Sequence, residues 1–164
     1  MALMNFLRPD DSDPEPRTLI IGVGNDFRGD DGVGFYIARK LKEMKNINAD
    51  IIEAGGEGTA IMAFWENRVK VIMVDAVSSG AEVGTIYRYN VSEENIPASI
   101  FSSQSTHAFG LIQAIELSRT LDKLPKCLIV YGIEGKTFGL GTEMSPEIKK
   151  AAQSIIERLS REMY

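Results

Sequence analysis

The stretch TLIIGVGNDFRGDDGVG, Thr18 to Gly34, decides the fold. Its apolar lead, Thr18 to Ile21, reads as a buried strand. The glycines that follow sit where nucleotide-binding folds place a phosphate loop. Yet the loop carries three carboxylates, Asp26, Asp30 and Asp31. Beyond it, Val33, Ile37, Leu41 and Met44 recur every three or four residues, one face of a helix running from Asp31. Strand, ligand turn and helix make the opening unit of an α/β domain.

The unit repeats along the chain. ADIIEA, Ala49 to Ala54, is a second strand, followed by the glycine-rich AGGEG; Ile61, Met62 and Trp65 then mark a short helix. KVIMVDAV, Lys70 to Val77, is the strongest strand, four apolar residues and then an aspartate. GTIYRYNV, Gly84 to Val91, alternates apolar and polar residues, the pattern of an edge strand with one wet face. A helix follows from Thr106, capped by Thr106 or Ser105, and KCLIVYGIE is the last strand. In SPEIKKAAQSIIERL, Ser145 stands at the cap and Pro146 at the first helical position, with Ile148, Ala152, Ile155, Ile156 and Leu159 on the apolar face. The alternation predicts a three-layer α/β/α domain. Its sheet is twisted and mainly parallel, of about five strands with one antiparallel edge strand. Residues 1–16 end in DDSDPEP and are expected to form a loose tail, leaving residues 17–164 as one domain.

Composition narrows the function classes. The chain has 164 residues, 44% hydrophobic and 25% charged, the balance of a globular protein with one sizeable core. A net charge of −5 argues against a nucleic-acid partner. No apolar run reaches membrane-spanning length, and the first residues lack the pattern of a signal peptide. The single cysteine, Cys127, cannot pair internally and lies in an apolar strand as core filler. These features point to the cytoplasm.

In an open parallel sheet, ligands bind beyond the carboxyl ends of the strands. Asp30 and Asp31 follow the first strand, Asp75 ends the third, and His107 opens a helix. Each has a bland reading. Asp31 suits a helix N-terminus, Asp75 suits loop amides, and a lone histidine is more often structural. Together they make a coherent cation site. A helix N-terminus disfavours protonation of His107, and neutral imidazole is the metal-binding form. Imidazole suits nickel or zinc, with carboxylates as hard co-ligands and open positions left for water or substrate. A dinucleotide fits less well: Phe27 stands where G-x-G-x-x-G needs its third glycine, and the carboxylates would repel pyrophosphate. The chain has no G-x-S-x-G elbow and no H-E-x-x-H. Asp30 reads as a helix-start charge.

From Thr18 to Leu159 the chain resembles the hydrogenase maturation endopeptidases, which trim the C-terminus of nickel-hydrogenase large-subunit precursors. The resemblance rests on GVGN-x-x-x-x-DDG-x-G, then Gly55–Gly56, then VDA at Val74 to Ala76, then S-x-H at Ser105 to His107, in that order. It implies that Asp31, Asp75 and His107 are the metal-binding and catalytic positions, with Asp31 where many members have glutamate. It implies that Gly55 and Gly56 contact the substrate. Many members have an aspartate just before that glycine pair; here the position is Ala54, so Glu53 or Glu57 is left to supply a carboxylate. Glu57 is grouped with the two glycines as substrate-binding. The implied cofactor is nickel carried by the substrate, the implied partner a hydrogenase large-subunit precursor, and the expected state a monomer. No protein nucleophile stands out, so metal-oriented water is the expected attacker. A non-catalytic maturation chaperone or a regulatory metal- or nucleotide-binding module stays open as the alternative.

Overall fold

The computed structural model describes residues 18–100 and 106–164; the expected tail at 1–16 and the Ser105 cap lie outside these residues. Strands β1 (Thr18–Val23), β2 (Ala49–Ala54), β3 (Lys70–Val77), β4 (Ile86–Asn90) and β5 (Cys127–Glu134) form one sheet in the order β2-β1-β3-β5-β4. The first three and β5 are parallel, and β4 runs antiparallel at the edge, as its alternation predicts. Helices α1 (Val33–Glu43), α2 (Gly58–Trp65), α3 (Thr106–Thr120) and α4 (Pro146–Glu162) cover the two faces.

Strand residues alternate between two cores. Leu19, Ile21, Val71, Met73, Leu128 and Val130 pack with Ile61 and Trp65 of α2 and Leu111 and Ile115 of α3. Ile20, Ile72, Val74, Ile129, Tyr131 and Ile133 pack with Val33, Ile37 and Leu41 of α1 and Ile148, Ile155 and Leu159 of α4. Cys127 is partly buried against this second core. Each fully buried Leu or Ile contributes roughly 1.5–3 kcal/mol, so both layers are held by sheet residues that the period-2 pattern places.

Glycine sets how closely α1 meets the sheet. A Cβ on Gly22 would stand 2.1 Å from the Gly34 carbonyl oxygen, and one on Gly34 would stand 2.0 Å from that of Val23. The two glycines let the start of α1 lie directly on the ends of β1 and β3.

Local readings shift in three places. The helix after the loop begins at Val33, because Gly29–Gly32 forms a separate 3-10 turn. Met44 leaves the apolar face: the chain turns extended there (φ −80°, ψ 138°) and the side chain is exposed. The edge strand is shorter than Gly84–Val91, since Gly84 adopts φ +89° and Ile86 is the first residue paired with β5.

Candidate functional site

The carboxyl edge gathers the acidic side chains. The turn after β1 closes on itself: Arg28 N–H donates to Asn25 O (3.3 Å), Asp31 N–H to Arg28 O (3.1 Å) and Asn25 N–H to Asp31 O (3.0 Å). This turn delivers Asp31, which is 1% exposed, at the base of α1. Asp75 is also 1% exposed, near the end of β3. Gly22 pairs with Val74, so the last residue of β1 lies beside Asp75. Alternation puts Asp75 with Met73 and Val77 on the face covered by α2 and α3. One Asp75 oxygen accepts the N–H of Ala76 at 2.8 Å. The chain leaves β1 for β2 on one side and reaches β3 on the other, which makes this edge a topological switch point.

His107 falls in the first turn of α3, on that same face; its side chain lies outside the described residues. Among the described residues no three His, Cys, Asp or Glu side chains gather as a metal site. Asp31 and Asp75 are two buried carboxylates, whose oxygens are hard donors of the kind that suit a divalent cation.

Asp30 does stand at a helix start, in the 3-10 turn, but as a buried anchor. It is fully buried, and its oxygens accept Ser145 N–H (2.6 Å), Lys136 N–H (2.7 Å), Ser145 Oγ–H (2.8 Å) and Thr137 N–H (2.9 Å). Its own N–H donates to Thr137 O at 2.8 Å. Burial alone raises its pKa, but the bonds from Ser145, Thr137 and Lys136 outweigh burial and hold the carboxyl below its ordinary value. Ser145 therefore does not cap α4 with its side chain: its hydroxyl turns to Asp30. Glu134, the last residue of β5, plays a matching part for the loop after β3. Its oxygens accept Ser79 N–H (2.9 and 3.1 Å), Ser79 Oγ–H (2.7 Å) and Gly80 N–H (2.9 Å). Sequence reasoning missed both anchors, although Glu134 closes its apolar strand much as Asp75 lies near the end of β3.

The glycine pair lies on the same edge. A Cβ on Gly55 would meet open space, and Gly56 adopts φ +89°. Behind it, Gly58 and Gly110 approach so closely that a Cβ on Gly110 would stand 2.3 Å from Gly56 O. This contact seats α3 against the loop. Of the two flanking glutamates, Glu53 is engaged by Arg39 (2.8 Å) and Lys42 (3.2 Å), and the hydrogen bond from Arg39 leads in holding its pKa below the ordinary value. Glu57 is exposed at the start of α2 and makes no capping bond.

Comparison with known proteins places the chain. Residues 35–162 match the HycI hydrogenase maturation protease family. The coenzyme F420 hydrogenase subunit delta of Methanothermobacter thermautotrophicus is 31% identical over 88% of this chain and 93% of its own. The [NiFe] hydrogenase maturation protease HycI of Thermococcus kodakarensis superimposes with a TM-score of 0.63 at 26% identity, over 90% of this chain and 92% of that one. The hydrogenase maturating endopeptidase HybD of E. coli shares the fold, with a TM-score of 0.75 at 24% identity over 87% and 89% of the two chains.

Proposed function

Since this chain belongs to the hydrogenase maturation protease family, we propose that it removes the C-terminal extension of a nickel-containing hydrogenase large-subunit precursor once nickel has been inserted. The nickel arrives as part of the substrate. Asp31, Asp75 and His107 are the groups that recognise it and position the scissile bond. The observation that carries this reading is the pair of carboxylates, each 1% exposed, one in the turn that follows β1 and one near the end of the adjacent parallel strand β3. Carboxylate oxygens are hard donors that suit a divalent cation.

The reaction is peptide hydrolysis. A water oriented beside the nickel adds its oxygen to the carbonyl carbon, the C–N bond breaks, and a water proton ends on the leaving amine. A buried carboxylate at this edge is suited to take that proton in passing. Gly55 and Gly56 present backbone without side chains to the extended substrate, and Glu57 supplies the carboxylate beside them. Glu53 is the weaker candidate, because its charge is already held by Arg39 and Lys42. The enzyme acts in the cytoplasm as a monomer in this reading. Among the described residues no helix is long and apolar enough to cross a membrane.

The test strips the enzyme with chelator, removes the chelator, and offers nickel-loaded and nickel-free precursor, with product mass as the readout. Loaded precursor is cut and unloaded precursor is not. Equal cutting of both, or an enzyme that needs metal returned before it acts on loaded precursor, replaces this reading with a resident-metal protease. A loaded precursor whose mass never changes favours a non-catalytic chaperone.

A further inference from the structure

The amino edge of the sheet, opposite the carboxylates, carries a surface that the proposed reaction does not use. Two adjoining grooves, of about 350 and 270 Å³, share Trp65, Glu66 and Lys123. The first lies between the loops that enter β3 and β5 and takes in Val69, Leu124 and Lys126. The second runs between α2 and α3, where its apolar lining is Met62, Ala63, Trp65 and Leu117. Val69 is 42% and Leu117 46% exposed, so both grooves offer apolar area to a ligand. The first groove also has a basic rim. Arg68 is held by Asp50, and Lys123 by Glu66 at 3.5 Å. Lys70, beside Val69, and Lys126 make no ion pair among the described residues, and Asp122 is the remaining acid of the lining.

The chain enters the domain at this same edge. Leu19 pairs with Val71 and Lys70 with Cys127, so Thr18 stands beside Lys70 and two strand spacings, of about 5 Å each, from Cys127 and its neighbour Lys126. The preceding segment has two halves. Asp10 to Glu15, DDSDPE, holds four carboxylates and no cation, and Met1 to Leu7, MALMNFL, has six apolar residues in seven. The acidic half begins three residues from Thr18, about 10 Å of extended chain, which brings it to the lysines. The apolar half begins eleven residues from Thr18, about 36 Å of extended chain, which brings it to the groove between α2 and α3. We infer that residues 1–16 dock on this surface of their own domain, with the Asp10–Glu15 carboxylates at Lys70 and Lys126 and Met1–Leu7 in the groove between α2 and α3. Composition alone makes the segment a loose tail; the surface beside its root supplies the apolar area and countercharge that the segment lacks by itself. Pro9, Pro14 and Pro16 bias the residues before them to extended backbone, which lowers the ordering cost of docking. Exposed ion pairs are weak singly, so the apolar half supplies most of the hold and the charges set its direction.

Amide hydrogen exchange of the full chain, read by mass spectrometry over residues 1–9, 66–69 and 122–126, tests this. In the wild type, residues 1–9 exchange at least about tenfold more slowly than a free peptide of that sequence. The Lys70→Glu, Lys126→Glu variant loses that protection, and residues 66–69 and 122–126 exchange faster with it. The Leu3→Ser, Phe6→Ser variant does the same from the other side of the contact. Asp11→Lys and Asp13→Lys, placed on the Lys70→Glu, Lys126→Glu background, restore the protection, which a purely structural effect of the lysine changes does not allow. Wild-type residues 1–9 that exchange at the free-peptide rate overturn the docking, and so does protection that neither variant pair lowers. Protection that disappears on dilution overturns it in favour of the same segment seated on a second copy of the chain. If the Lys70→Glu, Lys126→Glu variant has a lowered melting temperature, Leu3→Ser, Phe6→Ser decides alone, because those positions lie outside the strands and helices of the two cores. None of these readouts uses cleavage, so the result is independent of the function proposed above.

Discussion

Replacing Asp30 with asparagine changes one oxygen to an amide and removes one charge. The amide presents N–H groups where the carboxylate presented lone pairs. If its oxygen takes the Oδ2 position, the Lys136 and Thr137 amides keep an acceptor, but the Ser145 N–H, 2.6 Å from Oδ1, faces another donor. The opposite orientation sacrifices two amides to save one. One buried N–H therefore loses its acceptor at a cost of about 1–3 kcal/mol. The remaining bonds lose their charge assistance, roughly 1 kcal/mol each. Water reaching the half-buried loop amides relieves part of this, which leaves a net loss of about 3–5 kcal/mol. For a chain of this size that lowers the melting temperature by about 10 °C. Thermal unfolding followed by circular dichroism measures it. Amide hydrogen exchange localises it, with protection falling first at Lys136, Thr137 and Ser145. A shift under about 2 °C, with those amides protected as in the wild type, would refute the assignment of Asp30 as the anchor of this loop.

Other perturbations probe other links. His107→Ala should leave the melting temperature within a few degrees, since a helix-start residue at a ligand edge need not fill the core, and should cut processing of loaded precursor at least about 100-fold by removal of a metal ligand; normal processing makes His107 structural. Gly110→Ala improves helix propensity by up to about 1 kcal/mol, yet its Cβ would stand 2.3 Å from Gly56 O, so a net loss of about 1–3 kcal/mol in urea unfolding is expected. A stabilised Gly110→Ala would mean that α3 and the glycine loop are not in that contact. Arg39→Met should cost about 0.5–1 kcal/mol at pH 7, because Arg39 is half exposed. Glu53 has a folded pKa below its unfolded one, so its share of that stability is present above about pH 4 and fades as pH falls through the folded value. The wild-type advantage should shrink by pH 3, and an unchanged gap there contradicts the linkage.

The sheet was legible because its signals are local. KVIMVDAV contains its whole argument in eight residues, and β3 spans Lys70–Val77 as read. The opening turn was legible for a similar reason: glycines at Gly22 and Gly34 are where strand and helix backbones must approach. Met44 shows the limit of periodicity, which counts spacing and cannot see that the backbone has already left the helix. Ser145 and Asp30 show another. Each was read from its neighbours, one as a cap and the other as a helix-start charge, and each reading was locally sound. Their bond to one another is a tertiary fact with no local trace. Near the sheet's carboxyl edge, the placing of Asp75 toward the end of β3 and of Asp31 in the turn after β1 follows from topology once alternation is recognised. Glu134 followed by the same logic and was passed over, because no motif drew attention to it.

The bond between Asp30 and Ser145 also bears on the order in which the protein becomes competent. The two residues stand 115 positions apart. At roughly 5–20 residues per second of ribosomal synthesis, about 6–23 s separate them on a nascent chain. During that interval β1, β2 and β3 can pair, yet the turn bearing Asp30 still lacks the Ser145 amide and hydroxyl that complete its hold. A chain paused before residue 136 presents the Asp30 carboxylate without any of its four donors, and one paused before residue 145 holds it by two. The protease thus carries its own timer: the turn after β1 is assembled from the first third of the message and locked by the last.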